Sequence, residues 1–280
     1  MTAILNIRQM LFQEMPFAIN AARLEGWNPG LYDADAFYHA DPNGFFIAEV
    51  GGKLIGSISG VAYNDDYGFI GLFIIDPEYR GQWHGIQLGK VVLEYLGDRN
   101  VGLDGVLEKQ IAYQNYFGFN YAYKNIRFEG KAKSKKLPTA LPIADVDFNK
   151  LLEYDREIFL APRTEFLRRW ITQVDSVGYY LENETHLVGY GILRKCVTGY
   201  KVGPLFADNE AIAVEILEAL LSNIWGEVYY LDIPEPNSES LKIAEQFNMQ
   251  KVFETARMYS KETPNVPLHK VFGITSFELG

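Results

Sequence analysis

The stretch from Tyr67 to Leu96 constrains this 280-residue chain more than any other. Phe69-Ile70-Gly71-Leu72-Phe73-Ile74-Ile75 is a hydrophobic run of strand length. It is followed by a turn at Asp76-Pro77-Glu78-Tyr79 and then by Arg80-Gly81-Gln82-Trp83-His84-Gly85. Beyond it Ile86, Leu88, Gly89, Val92, Leu93 and Leu96 recur at a spacing that predicts an amphipathic helix. A strand that passes through a glycine-containing loop into a helix N-terminus suits a pyrophosphate, because loop N–H groups and the positive end of the helix dipole converge on one anion. Arg80 at the mouth adds a guanidinium that matches phosphate geometry. The plainer alternative is a surface strand–loop–helix with no ligand.

Composition excludes several classes. No run approaches the roughly 20 apolar residues of a membrane span, and Met1–Arg8 lacks the basic start and long apolar core of a signal peptide. Cys196 is the only cysteine, so no intrachain disulfide can form, and the four histidines lack metal-ligand spacing. These features point to the cytoplasm, with no membrane and no metal. The net charge of −10 argues against nucleic acid and mildly favours a cationic partner. Residues 138–280 carry −8 of it and the first 137 only −2, so an attracting field would come mostly from the second half. Surplus surface acid also serves solubility.

The elements follow one another regularly. A first strand lies around Ile4–Met10. Phe12, Met15, Ile19 and Ala22 predict a helix over Phe12–Leu24 that properly starts near Pro16. Glu25-Gly26-Trp27-Asn28-Pro29-Gly30 is a break, Asp33–His39 a short helix, and Asp41-Pro42-Asn43-Gly44 a turn. Gly44–Val50 and Lys53–Tyr63 pair across Gly51-Gly52 as a hairpin. After the Tyr67–Leu96 unit come a strand at Val101–Val106, a helix at Leu107–Tyr116 closed by Phe117-Gly118-Phe119, and a strand at Tyr121–Glu129.

This order, with Asp-Pro-Glu-Tyr-Arg-Gly between strand and helix, resembles the GNAT acyltransferase superfamily, whose coenzyme A-binding motif is Arg/Gln-x-x-Gly-x-Gly/Ala. Counted from Arg80, the first motif glycine falls on Trp83 and the second on Gly85. Gly81 matches a glycine that often directly follows the arginine. A non-glycine residue held at positive φ costs roughly 1–2 kcal/mol. Two readings follow: a re-shaped loop in which Trp83 packs over the adenine or pantetheine, or a damaged loop that binds coenzyme A poorly. The resemblance implies acetyl-CoA as cosubstrate, held by Phe73, Ile74, Ile75, Arg80, Gly81, Gln82, Trp83, His84, Gly85 and Ile86. It also implies a tyrosine whose hydroxyl meets the departing thiolate. The usual position, four residues before the helix-closing glycine, is Gln114, which leaves Tyr113 first and Tyr116 second. An aromatic pair at this spacing is equally suited to a core.

The run Glu25-Gly26-Trp27-Asn28-Pro29-Gly30 with Asp41-Pro42 and Gly44-Phe45-Phe46 is similar to a bacterial branch that carries a second acetyltransferase-like domain. The resemblance makes Glu25, Trp27 and Asn28 acceptor-pocket candidates, against a packed loop in which Trp27 is a core plug. The basic, proline-ended stretch 131–138 reads as a linker between a cofactor-binding domain at 1–130 and a GNAT-like domain at 139–280. The expected fold class is α+β, with tandem domains each built on a mixed, mostly antiparallel sheet flanked by helices. The second half repeats the element order: a strand entering a helix at Pro142–Phe159, a helix at Thr164–Gln173, strands at Tyr179–Glu182, Leu187–Cys196 and Val197–Phe206, a helix at Ala211–Asn223, a strand at Val228–Ile233, a helix at Ser238–Phe247 and a strand at Gln250–Ser260. At the loop position it has Pro204-Leu205-Phe206-Ala207-Asp208-Asn209-Glu210, whose acids would repel a pyrophosphate. That domain is expected to serve as scaffold or acceptor wall, with Tyr200, Asp232, Pro234 and Asn237 facing the first.

The implied reaction is acetyl transfer to the primary amine of a small molecule or peptide. An alkyl ammonium must first lose a proton, and Glu25, Glu49, Asp65 and Asp66 are the carboxylates placed for it. Two other classes stay open: a non-catalytic acyl-CoA binder or sensor, and an interaction scaffold that kept only the fold. Acceptor identity and oligomeric state are not legible at this level.

Overall fold

The computed structural model describes residues 4–133, 139–159 and 161–280. β1 (Leu5–Gln9) leads through a 3-10 turn at Phe12–Glu14 into α1 (Met15–Leu24). Pro16 lies in the first turn of α1, where its missing N–H costs nothing. α2 (Asp33–Ala40) precedes the antiparallel meander β2 (Phe45–Val50), β3 (Lys53–Ala62) and β4 (Tyr67–Ile75). Gly51 and Gly52 both take positive φ at the β2–β3 turn, as a two-residue hairpin loop requires. From β4 the chain crosses through α3 (His84–Leu96) to β5 (Asn100–Val106), which is parallel to β4, and continues as α4 (Gln110–Phe117) and β6 (Asn120–Lys131).

The second half runs β7 (Leu141–Pro142), α5 (Phe148–Phe159), α6 (Thr164–Trp170), β8 (Ser176–Glu182), β9 (Leu187–Lys195), β10 (Tyr200–Ala207), α7 (Glu210–Leu221), β11 (Val228–Pro234), α8 (Ser238–Gln246) and β12 (Gln250–Tyr259). A last short strand, β13 (Val271–Gly273), has no counterpart among the described residues of the first half. The fold is α+β, as expected.

The spatial order departs from the chain order in one respect. Among the described residues the strands form one sheet, β1-β2-β3-β4-β5-β12-β6-β11-β10-β9-β8-β7, with β13 attached to β10. Each half therefore gives its last long strand to the other. β12 lies antiparallel to β5, and β6 lies antiparallel to β11. Two buried bidentate pairs fasten the exchange. Arg257 on β12 donates to Asp104 on β5 at 2.9 and 2.7 Å, and Arg127 on β6 donates to Asp232 on β11 at 2.7 and 2.8 Å.

The linker assignment needs correcting on this account. Lys131 is still strand, opposite Val228, and Ala132 exchanges main-chain hydrogen bonds with Glu227 and Gly226 at 2.9 Å. The exchanged partner strand and the turn before it, more than ninety residues away, hold Lys131 and Ala132 in place. Residues 134–138 lie outside the described residues. The core also crosses the halves. Phe37 of α2 stacks on Trp170 of α6 at 5.7 Å, and the Arg194 guanidinium lies 3.9 Å over the same indole while paired with Asp33.

Candidate active site

The site begins where β4 leaves β5. The two strands pair from Tyr67↔Asn100 to Ile70↔Leu103 and then part. Leu72 takes φ +48°, and the β3–β4 register slips between Ser59↔Gly71 and Ser57↔Ile74, so a bulge at Leu72 bends the strand away. Past it, Asp76 N–H donates to Ile55 O at 2.7 Å. The two-residue alternation of a strand then turns the main-chain groups of Phe73 and Ile75 to the other edge, into the wedge. Ile75 O already accepts from Arg80 Nε at 2.8 Å.

The wedge opens into a cavity of about 470 Å³. At its mouth the 80–86 loop enters α3. Gly81 sits at φ +77° and Trp83, the residue preceding α3, at φ +67° and ψ 0°. Position 83 does require the left-handed conformation, and a tryptophan supplies it. Trp83 is 63% exposed, and its indole packs edge-on against Tyr116 at 6.0 Å, where both residues line the cavity. Gly85 rests on β4: a Cβ there would lie 3.5 Å from Ile75 and 3.8 Å from Phe73. Arg80 is also tied to Glu25 at 2.5 Å.

Tyr113 reaches the cavity from α4, with its ring 6.3 Å from that of Phe73. Gly105 makes room for it, since a Cβ there would fall 2.5 Å from the ring. Burial pushes the Tyr113 phenol up to about 12, so the hydroxyl is a neutral donor at any physiological pH. Tyr116 stands exposed at the rim.

Of the cofactor-loop residues, Phe73, Ile74, Ile75, Arg80, Gly81, Trp83, Gly85 and Ile86 line the cavity, while Gln82 and His84 do not. Gln82 turns back to Glu78 O at 3.2 Å, and the His84 ring lies beside that of Tyr79 at 6.3 Å. Glu25 and Trp27 line the cavity. Asn28 is drawn off by a reciprocal pair of 2.9 Å hydrogen bonds with the main chain of Thr198, a join between the halves.

The inner end is built by residues that sequence reasoning missed: Asp104, Phe253, Thr255, Phe277 and Glu278. Four of these five come from the second half, carried in by β12 and by the segment after β13. The one local signal was Glu278, a lone acid between Phe277 and Leu279. Trp27 O accepts from Arg127 at 2.9 Å and from Lys201 at 3.1 Å. Burial lowers the Lys201 ammonium from its usual range, and Arg127 also lies 4.7 Å over the Phe277 ring. Among the suggested bases, Glu49 is paired with Arg8, Asp65 is fully exposed near Arg99, and Asp66 is exposed; none of the three lines the cavity.

The second half has the same parting of parallel strands but closes it. β10 pairs with β11 only from Tyr200↔Tyr229 to Val202↔Leu231, and β13 then occupies the gap (Leu205↔Gly273, Phe206↔Val271). Asn209 caps α7, accepting from Ile212 N–H at 3.1 Å, and Asp208 pairs with Lys270 at 2.9 Å. Of the residues expected to face the first domain, Asp232 does so through Arg127. Asn237 instead caps α8 and donates to Val271 O at 2.9 Å.

Comparison with known proteins agrees with this architecture. Residues 4–119 match the family described as "Acetyltransferase (GNAT) family", and residues 151–273 match "Acetyltransferase (GNAT) domain". The chain belongs to the GNAT superfamily. It is an acyltransferase with two GNAT domains in tandem. Holothin acyltransferase of Pseudoalteromonas sp. (strain SANK 73390) is 27% identical to this GNAT protein over 259 residues, which cover 91% of this chain and 88% of the relative. A Pyrococcus horikoshii protein described as an acetyltransferase superposes with a TM-score of 0.84 at 19% identity, covering 99% of this chain and 96% of the other. A tandem GNAT protein from the clavulanic acid biosynthesis pathway superposes with a TM-score of 0.66 at 12% identity, covering 93% and 100%. The last two likenesses concern the fold. Among the described residues no helix is long and apolar enough to cross a membrane.

Proposed function

We propose that this GNAT protein transfers an acetyl group from acetyl-CoA directly to the primary amine of a small molecule or peptide. We assign the chemistry to the first domain (residues 1–130) and read 139–280 as a GNAT-like domain without a cofactor loop, in a protein of the cytoplasm. The observation that carries this is the unpaired β4 edge at Phe73–Ile75, which opens beneath the N-terminus of α3 onto a cavity that Tyr113 enters. Loop N–H groups at 80–86 and the helix dipole suit the pyrophosphate. The Phe73 and Ile75 main chain suits the amides of pantetheine and aligns the thioester. A main-chain N–H in the wedge can polarise the carbonyl as charge develops on its oxygen. Tyr113, neutral and unpaired among the described residues, is the group suited to protonate the departing thiolate, with Tyr116 the second choice. Glu25 holds Arg80 in the loop and Trp27 forms a cavity wall, so both act on the site's shape.

Calorimetric titration with acetyl-CoA tests the reading. The wild type is expected to bind in the micromolar range and Gly85→Glu, which sets an anion at the start of α3, to lose binding. A wild type that binds no acetyl-CoA overturns the proposal. The positive φ of Trp83 favours a second reading, a non-catalytic acyl-CoA binder or sensor. Trp83→Gly separates the two, because an enzyme shaped around the indole loses turnover whereas a degraded binder gains affinity.

A further inference from the structure

Resting on that reading, we propose that the inner end of the cavity is a subsite for a monoamine with an aromatic or apolar body, and that Glu278 receives its ammonium and removes the proton. Glu278 is 4% exposed; its Oε1 is buried without a hydrogen-bond partner, and no described residue donates to its other oxygen. Thr255, 2% exposed, has an unpartnered Oγ1 and lines the same cavity. Buried polar groups are nearly always satisfied, and a carboxylate left without a donor is costly, so two such groups on one cavity wall indicate a missing partner.

Position supports the assignment. The Glu278 main chain is pressed onto β4 at Gly71, where a Cβ would lie 1.8 Å from its carbonyl oxygen and 2.8 Å from its Cα. Gly71 immediately precedes the bulge and stands two residues before Phe73, so the acid lies within roughly 7 Å along the strand of the main chain proposed to align the thioester.

Charge defines the ligand. The other acids of the cavity are engaged: Glu25 with Arg80, and Asp104 with Arg257 and Asn125. Buried cations near Glu278 include Arg127, paired with Asp232; Arg194, paired with Asp33; and Lys201, which donates to Trp27 O, while Lys109 also lines the cavity. Glu278 is thus the one carboxylate of the wall, among the described residues, left for an incoming cation. Trp27, Phe253 and Phe277 beside it offer rings to an apolar body. A polyamine or aminoglycoside would bring further ammonium groups toward Arg127 and Lys201.

In the reaction Glu278 takes one proton from the ammonium, and the nitrogen forms the C–N bond as the thioester C–S bond breaks. The thiolate takes the Tyr113 proton. The surplus proton on nitrogen replaces the one Tyr113 gave, and the proton on Glu278 leaves to solvent.

The test titrates 2-phenylethylamine, its neutral analogue 2-phenylethanol and spermidine into the full chain without acetyl-CoA, for wild type, Glu278→Gln and Thr255→Val. Glu278→Gln is expected to weaken 2-phenylethylamine at least tenfold, to leave 2-phenylethanol unchanged and to leave the melting temperature equal or higher. Spermidine is expected to bind wild type more weakly than 2-phenylethylamine. With acetyl-CoA added, kcat for thiol release should fall about 100-fold or more in Glu278→Gln. If that variant does not fold, Thr255→Val carries the test through a several-fold loss for the amine alone. Equal amine affinity in wild type and Glu278→Gln, or no amine binding by the wild type, overturns the proposal. A lowered melting temperature with intact amine binding also overturns it, making Glu278 a structural counter-ion of Arg127 and Lys201. Loss of acetyl-CoA binding would sink the transferase reading and leave the amine titrations standing.

Discussion

The two halves of the molecule build the same parting of parallel strands and put it to opposite uses. In the first, β4 leaves β5 at a bulge and the gap stays open above a loop with glycines at 81 and 85. In the second, β10 leaves β11 and β13 fills the gap, while Asp208, Asn209 and Glu210 crowd the helix start. The next helices differ to match. Tyr113 stands four residues before Phe117 and enters the cavity, whereas Ile243, four before Phe247, is wholly buried. What the halves keep in common is the core and the Arg–Asp pair at the exchanged strand. A GNAT fold thus survives on packing and pairing alone, and a site needs in addition a strand edge that nothing covers. The tail of the chain serves both ends of the contrast: β13 closes one gap, and five residues after its end Glu278 reaches the other.

The largest expected effect probes what the halves share. Asp232→Asn leaves Arg127 buried without its counter-charge and should cost about 3–5 kcal/mol, and Asp104→Asn should do the same to Arg257. Chemical denaturation of both variants checks this, and a large loss in only one would break the equivalence. Next, Tyr113→Phe should lower kcat roughly 10- to 100-fold, about 1.4–2.8 kcal/mol, with the KM for acetyl-CoA unchanged. The raised phenol makes a signed prediction as well. Its stabilisation is fully present below the ordinary tyrosine value of about 10 and is lost as pH rises through about 12. Wild-type melts should therefore fall more steeply than those of Tyr113→Phe above pH 10, and turnover should not drop near pH 10 because of this group. The smallest effect is a deliberate zero: Asp208→Asn with Glu210→Gln removes the acids at α7 yet should leave acetyl-CoA stoichiometry at one per chain, because β13 still fills the gap. A second equivalent would show that charge alone had closed that half.

Elements with strong periodicity were legible from residues alone. The β4–loop–α3 unit, the Gly51-Gly52 turn and the missing second loop all follow from local spacing, and Trp83 was recognisable as a residue at a glycine position. Bounds set by distant partners were not. Lys131 is strand because β11 pairs with it, and Asn28 leaves the pocket because Thr198 offers it two main-chain bonds. The tyrosine proposed to meet the thiolate was narrowed to a helix face, and Gly105 provides the space that Tyr113 occupies.

By itself the sequence determined the element order, the phosphate-suited loop in one half only, and the helix that carries Tyr113. Each depends on residues within a few turns of one another, where sterics and side-chain period act directly. Only the tertiary structure decided that the halves trade β6 and β12, that β13 plugs the second gap, and that Thr255 and Glu278 line the first. Those outcomes depend on which strand edges meet across about 65 residues or more, a choice made by the packing of the whole sheet and written in no local pattern.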